Sequence, residues 1–153
     1  MIKLFHKKLI GFTKLYSRKN LNKLLIASIK KYTLKDQKII SIGSGGGIKR
    51  VLKEQGVDFQ EIDIDEKRQP DFVCDIEDMN IFEDNSVDVF FCMEVLEHVK
   101  NPLAATKEIE RVLKPGGVII GSTPFVFPIH EEPYDYYRYT KYGLAHLFSN
   151  LKK

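Results

Sequence analysis

The sequence predicts a doubly wound α/β domain on an open, mostly parallel sheet of about five strands, preceded by helices. Three observations predict it. From residue 38 onward, short apolar runs alternate with segments of helical period, joined by short links. Residues 87–93 (VDVFFCM) are nearly all apolar, as a strand covered on both faces requires. Residues 38–47 (KIISIGSGGG) read as a buried strand that runs straight into a glycine-rich turn, with Ile48, Val51 and Leu52 at helical spacing behind it.

Taken in order, residues 2–17 place Ile2, Phe5, Leu9, Phe12 and Tyr16 three or four apart with lysines between, which predicts a first helix. Asn20 is the expected cap of a second, with Leu21, Leu24, Leu25, Ser28 and Ile29 on one face. The strand from Lys38 and its glycine turn follow, and Gly56 ends the helix behind them. Residues 59–65 form the expected second strand and Phe72-Val73-Cys74 a short third, closed by Asp75. After the fourth strand, Asn101 caps a helix with Pro102 at its first position. Its expected apolar face is Leu103, Ile109, Val112 and Leu113, and Pro115-Gly116-Gly117 ends it. Residues 118–122 give strand five, residues 124–139 a loop rich in proline and aromatics, and Thr140 the cap of a last helix with Leu144, Leu147 and Phe148 inward.

At 153 residues the chain has the length of one domain, read as a basic helical segment over 1–37 and the α/β domain over 38–153. The net charge of +3 conceals an asymmetry. Residues 1–38 carry ten Lys and one Arg against the single acid Asp36, while the rest holds 13 basic and 20 acidic residues. A basic arm of this kind suits an anionic surface, and weak contact with an anionic membrane is one expectation; a solvated helix face is the other. Cys74 and Cys92 both fall in expected strands, with no C-x-x-C pair and no Cys/His cluster at metal spacing, so they read as reduced buried thiols of a cytoplasmic protein and no metal is expected. No apolar run reaches the ~18 residues of a membrane span, and no secretory leader is read at the start.

The glycine spacing narrows the ligand. Gly43, Gly45 and Gly47 form G-x-G-x-G, and Ile48 stands where a dinucleotide fingerprint needs its third glycine. That turn resembles the first motif of class I S-adenosylmethionine (SAM) methyltransferases. Asp88-Val89, the run Glu94-Val95-Leu96-Glu97-His98-Val99 and the run Arg111-Val112-Leu113-Lys114-Pro115-Gly116-Gly117 carry the resemblance further, toward the small-molecule group that includes the ubiquinone and menaquinone biosynthesis enzymes. It covers roughly residues 38–150.

The resemblance implies a Rossmann-like fold, SAM as cofactor and methyl transfer by in-line displacement to a small-molecule or carrier-linked acceptor. The implied cofactor residues are Gly43, Ser44, Gly45 and Gly47 in the turn, Asp63 on the ribose (with Asp65 as competitor), Ile64, Asp75 and Ile76 around the adenine, and Met93 and Glu94 at the methionine end. His98 and His130 are the candidate bases, His98 being equally readable as a residue that orders a turn. In the loop after strand five, His130, Asp135, Tyr137 and Arg138 are the candidate acceptor-binding residues, or else a set that knits the loop together. No nucleic acid is expected as partner.

Two features depart from the family pattern. Ser41 stands two residues before the first glycine, where an acid is common, and the chain stops after one helix, where the family adds two further strands. Strand five would then be an exposed edge, at which a homodimer is one expectation. A non-catalytic methyltransferase-like binding domain is the rival reading.

Overall fold

The structure is a computed structural model that describes residues 18–43 and 46–151. The first expected helix, Ser44 and Gly45 lie outside the described residues.

Val87–Met93 (β4) is the centre of the molecule. Its residues alternate between two cores because successive side chains of a strand point to opposite faces. Phe90 and Cys92 join Ile40, Ile42 and Ile62 on one face, while Val89, Phe91 and Met93 join Ile39 on the other. Four more strands assemble around it: Ile39–Ile42 (β1), Gln60–Asp63 (β2), Phe72–Val73 (β3) and Leu113–Ser122 (β5). The sheet runs in the order β3-β2-β1-β4-β5, and every pairing is parallel.

The helices cover both faces, as a parallel sheet demands. A helix over the described residues 18–32 (α1) and Gly46–Glu54 (α2) pack on the second core through Leu25 and Ile29, and through Ile48, Val51 and Leu52. Pro102–Val112 (α3) and Lys141–Leu147 (α4) cover the first, through Ala105, Ile109 and Val112 and through Leu144, with Phe148 just past the end of α4. Each fully buried aliphatic or Phe side chain contributes about 1.5–3 kcal/mol. The expected caps of α3 and α4 are present: Asn101 accepts from the Ala104 amide at 3.2 Å and Thr140 from the Gly143 amide at 3.0 Å. Both cysteines are buried and free, and burial pushes the Cys92 thiol up to about 12.

Four expectations need correction. The chain is already helical at Arg18, so Asn20 lies inside α1 rather than capping it; Arg18 and Lys19 are good helix formers. Leu24 is exposed, because α1 turns only a narrow stripe inward. Leu103 is exposed too, since the buried stripe of α3 runs through 105, 109 and 112. Most instructive, Leu113 is not helical. α3 stops at Val112, and Leu113-Lys114-Pro115-Gly116-Gly117 begins β5, with Leu113 paired to Val87 and a register shift between Val87 and Val89. Strand pairing overrides the breaker residues there.

A guanidinium locks the loop before β4 to α3. Arg111 donates to both Glu108 oxygens, at 2.9 and 2.7 Å, to Asp84 at 2.7 Å and to the carbonyls of Phe82 and Met79 at 3.0 Å. β5 lies at the edge of the sheet, and beside it a cavity of about 310 Å³ runs between Ile119, Leu144 and Phe148. No helix among the described residues is long and apolar enough to cross a membrane.

Candidate active site

Ligands of doubly wound sheets bind at the carboxyl ends of the strands, where the order reverses. Here the reversal falls between β1 and β4. Gly43, just past β1, has φ +86° and donates its amide to Ile62 O of β2 at 2.8 Å. A Cβ at Gly43 would stand 3.0 Å from Val95 Cγ2, so glycine answers both a backbone and a space requirement. Gly47 lies in the first turn of α2.

Asp63 closes β2 and is nearly buried. It accepts from the Asp65 amide at 2.9 Å, and the Arg68 guanidinium lies 3.9 Å away. Asp65 is exposed and caps the short turn Glu66–Arg68 through the Lys67 amide at 3.0 Å. Arg68 also lies 3.9 Å from Glu131 of the long loop, and so spans the cleft mouth. Ile64 is exposed at this mouth, whereas Ile76 is buried in the core. The Asp75 side chain accepts from the Glu77 amide at 2.9 Å, the role of a turn residue.

At the end of β4, Met93 is buried in the second core. Glu94 follows with φ +57°, a left-handed conformation that a non-glycine residue adopts only where its surroundings impose it. Its amide donates to Ser122 O at 2.8 Å and its carboxylate accepts from the Ser122 hydroxyl at 2.7 Å, which joins the ends of β4 and β5.

Beyond Glu94 the chain makes the short turn Leu96–His98, and the loop over 124–139 folds back onto it. The Tyr136 and Tyr137 amides both donate to Glu97 O, at 2.8 and 3.2 Å, while the Tyr137 and Tyr139 hydroxyls donate to Lys100 O and Leu96 O. Within the loop, Arg138 grips Asp135 through two hydrogen bonds of 2.6 and 2.7 Å. That contact holds the Asp135 carboxyl well below the usual carboxylate range. The loop residues expected to bind an acceptor therefore spend much of their polarity on one another. Asp135, Tyr137 and Arg138 still line a cavity of about 280 Å³ beside Phe127 and Ile129.

The folded loop brings His130 to His98, with ring centroids 4.8 Å apart. Between them lies a residue to which the sequence reading gave no role. Glu97 is fully buried and neither of its carboxylate oxygens has a hydrogen-bond partner. Its Oε1 is 3.6 Å from His98 Nε2 and 4.0 Å from His130 Nε2. Burial first, with the charges of Glu94 and Asp135, pushes the Glu97 carboxyl up to about 7, against the pull of its own backbone amide and of Arg138. One sequence signal pointed to it: Glu97 is an acid set among Val95, Leu96 and Val99.

Residues 40–121 match the family model described as a methyltransferase domain, and the chain belongs to that family. Among curated relatives, it is 34% identical over 102 residues to the ubiquinone biosynthesis O-methyltransferase of Idiomarina loihiensis, covering 57% of this chain and 42% of the relative. It is 30% identical over 135 residues to the protein of the same name from Coxiella burnetii, covering 79% of this chain and 55% of the relative. The chain spans about half the length of these curated relatives. A SAM-dependent methyltransferase from Archaeoglobus fulgidus shares the fold, with a TM-score of 0.66 at 16% identity over 84% of this chain and 67% of the other.

Proposed function

We propose that the chain binds SAM at the carboxyl ends of β1, β2 and β4 and directs its methyl group to a small-molecule or carrier-linked acceptor held under the 124–139 loop. The observation that carries this reading is the apposition of the Gly43 turn and the nearly buried Asp63 at adjacent strand ends. The residues fit the cofactor. Gly43 leaves backbone open where a Cβ would crowd Val95, and Asp63 offers a carboxylate at the position where such folds receive ribose hydroxyls. Exposed Ile64 offers an apolar surface for the adenine, and Glu94 stands at the end of β4 for the amino acid end.

SAM supplies an activated methyl on a sulfonium sulfur. What remains for the protein is to hold an acceptor in line with that methyl and to exclude water, so positioning carries most of the rate. The names of the curated relatives make an oxygen acceptor the first to test. Calorimetric titration with SAM and S-adenosylhomocysteine (SAH) is expected to give micromolar binding, lost in Asp63→Ala with the fold intact. A folded wild-type chain that binds neither would overturn the reading.

A further inference from the structure

The 124–139 loop is tied down on two sides of the cleft. Its Tyr136 and Tyr137 amides and its Tyr139 hydroxyl bind carbonyls of the turn after β4. On the β2 side it meets Arg68. The Arg68 guanidinium stands 3.9 Å from each of three carboxylates: its Nε from Asp63 Oδ2 and Asp65 Oδ2, its Nη2 from Glu131 Oε2. Each distance exceeds a hydrogen-bond length, so the cation is shared among three anions and committed to none. The backbone beneath it is fixed, because the Arg68 amide donates to Asp65 O at 3.0 Å and the Gln69 amide to Glu66 O at 2.9 Å. Both ends of the bridge carry left-handed backbone, Gln69 at φ +53° and Glu131 at φ +54°. Neither residue is a glycine, and such conformations gather at clamps and switches. The freedom therefore lies in a half-exposed side chain that leans toward Asp63 or toward Glu131.

We propose that Arg68 is a positioning residue that couples the cofactor cleft to the loop: a cofactor on Asp63 shifts Arg68 toward Glu131 and tightens the loop that receives the acceptor. The proposal rests on the SAM-binding reading above and adds an order of events to it, cofactor before acceptor. The sign follows from charge. A carboxylate that accepts hydrogen bonds from ribose hydroxyls has part of its charge offset by those donors and competes less for a nearby cation. The guanidinium then gains most by approaching Glu131, which the ribose does not touch. Asp65 sits on Arg68's own turn and keeps the guanidinium at the cleft mouth in either state. Exposed ion pairs of this kind are worth a factor of roughly two to five in an equilibrium, which sets the size of the coupling. The coupling is reciprocal, so a loop ordered by an acceptor strengthens cofactor binding by that same factor.

The test is amide hydrogen exchange of the full chain with and without saturating SAH. The reporters are the His130, Tyr134 and Tyr136 amides, which donate within the loop or to the turn after β4. In the wild type, SAH is expected to slow their exchange by roughly two- to fivefold. The slowing should shrink as salt is raised, as a solvent-exposed ion pair requires. Arg68→Gln and Glu131→Gln should each lose it, and the double variant should lose no more than either alone. Arg68→Lys keeps the charge and should retain part of it. SAH affinity, read by calorimetry, should weaken in Glu131→Gln by no more than the same factor. Both residues are exposed enough for these variants to fold, and unliganded melting temperatures near the wild-type value check that they do. Undiminished slowing in Arg68→Gln or Glu131→Gln overturns the proposal, as does a wild-type loop that SAH leaves unchanged or loosens. Calorimetry separates the two readings: SAH bound without any slowing sinks the coupling alone, and a wild type that binds neither SAM nor SAH sinks the methyl-transfer reading and the coupling with it.

Discussion

A buried carboxyl with no partner makes itself felt in the pH dependence of stability. Burial raises the Glu97 carboxyl from the usual carboxylate range to about 7. The folded state then holds a proton that the unfolded chain has released, so stability is full below the unfolded value and is lost as pH rises through about 7. The loss is on the order of 3 kcal/mol. Chemical denaturation of wild type and Glu97→Gln from pH 4.5 to 8 checks it. The difference in stability should move in favour of the glutamine variant as pH rises, and the comparison cancels carboxylates common to both. Gly43 gives a second prediction. Alanine at φ +86° costs about 1–2 kcal/mol for the left-handed backbone, and its Cβ meets Val95 at 3.0 Å. Denaturation midpoints should show that Val95→Ala restores only part of the Gly43→Ala loss, because it relieves the contact and leaves the backbone strained.

Among the elements, the 124–139 loop is held by few but specific bonds, and Asp135 is their hub. Its carboxylate takes two hydrogen bonds from Arg138 and one from the His130 amide at 2.9 Å. Asp135→Asn weakens the charge-assisted pair and raises the population of the locally open loop. Amide exchange at Tyr136 and Tyr137 should accelerate while β4 amides stay protected. The same contrast explains what was legible from sequence. β1, β4, the Gly43 turn and the caps Asn101 and Thr140 are written in local pattern, and the structure keeps them. The start of β5 is not, because pairing of Leu113 with Val87 converts a Pro-Gly-Gly stop into strand. Nor is the Glu97 cluster, since His130 arrives from a loop 33 residues further on and only folding places it beside Glu97.

For the whole molecule, the sheet is the medium through which a bound cofactor acts. The candidate site takes its parts from the ends of β1, β2 and β4, three neighbours in the sheet. A ligand bound there favours the state in which those strands are assembled, and its effect belongs to global unfolding. At a hundredfold excess over Kd the gain is about 2.7 kcal/mol, which for a domain of this size raises Tm by roughly 5–10 °C. SAM and SAH are both expected to produce that rise in the wild type. In Asp63→Ala the rise should vanish, while the unliganded melting temperature falls only by what the side chain's own polar contacts contribute, the Asp65 amide bond and Arg68 among them, since Asp63 lies outside both hydrophobic cores. Loss of the rise together with collapse of the unliganded Tm would instead make Asp63 a structural residue, and would return the ribose role to Asp65.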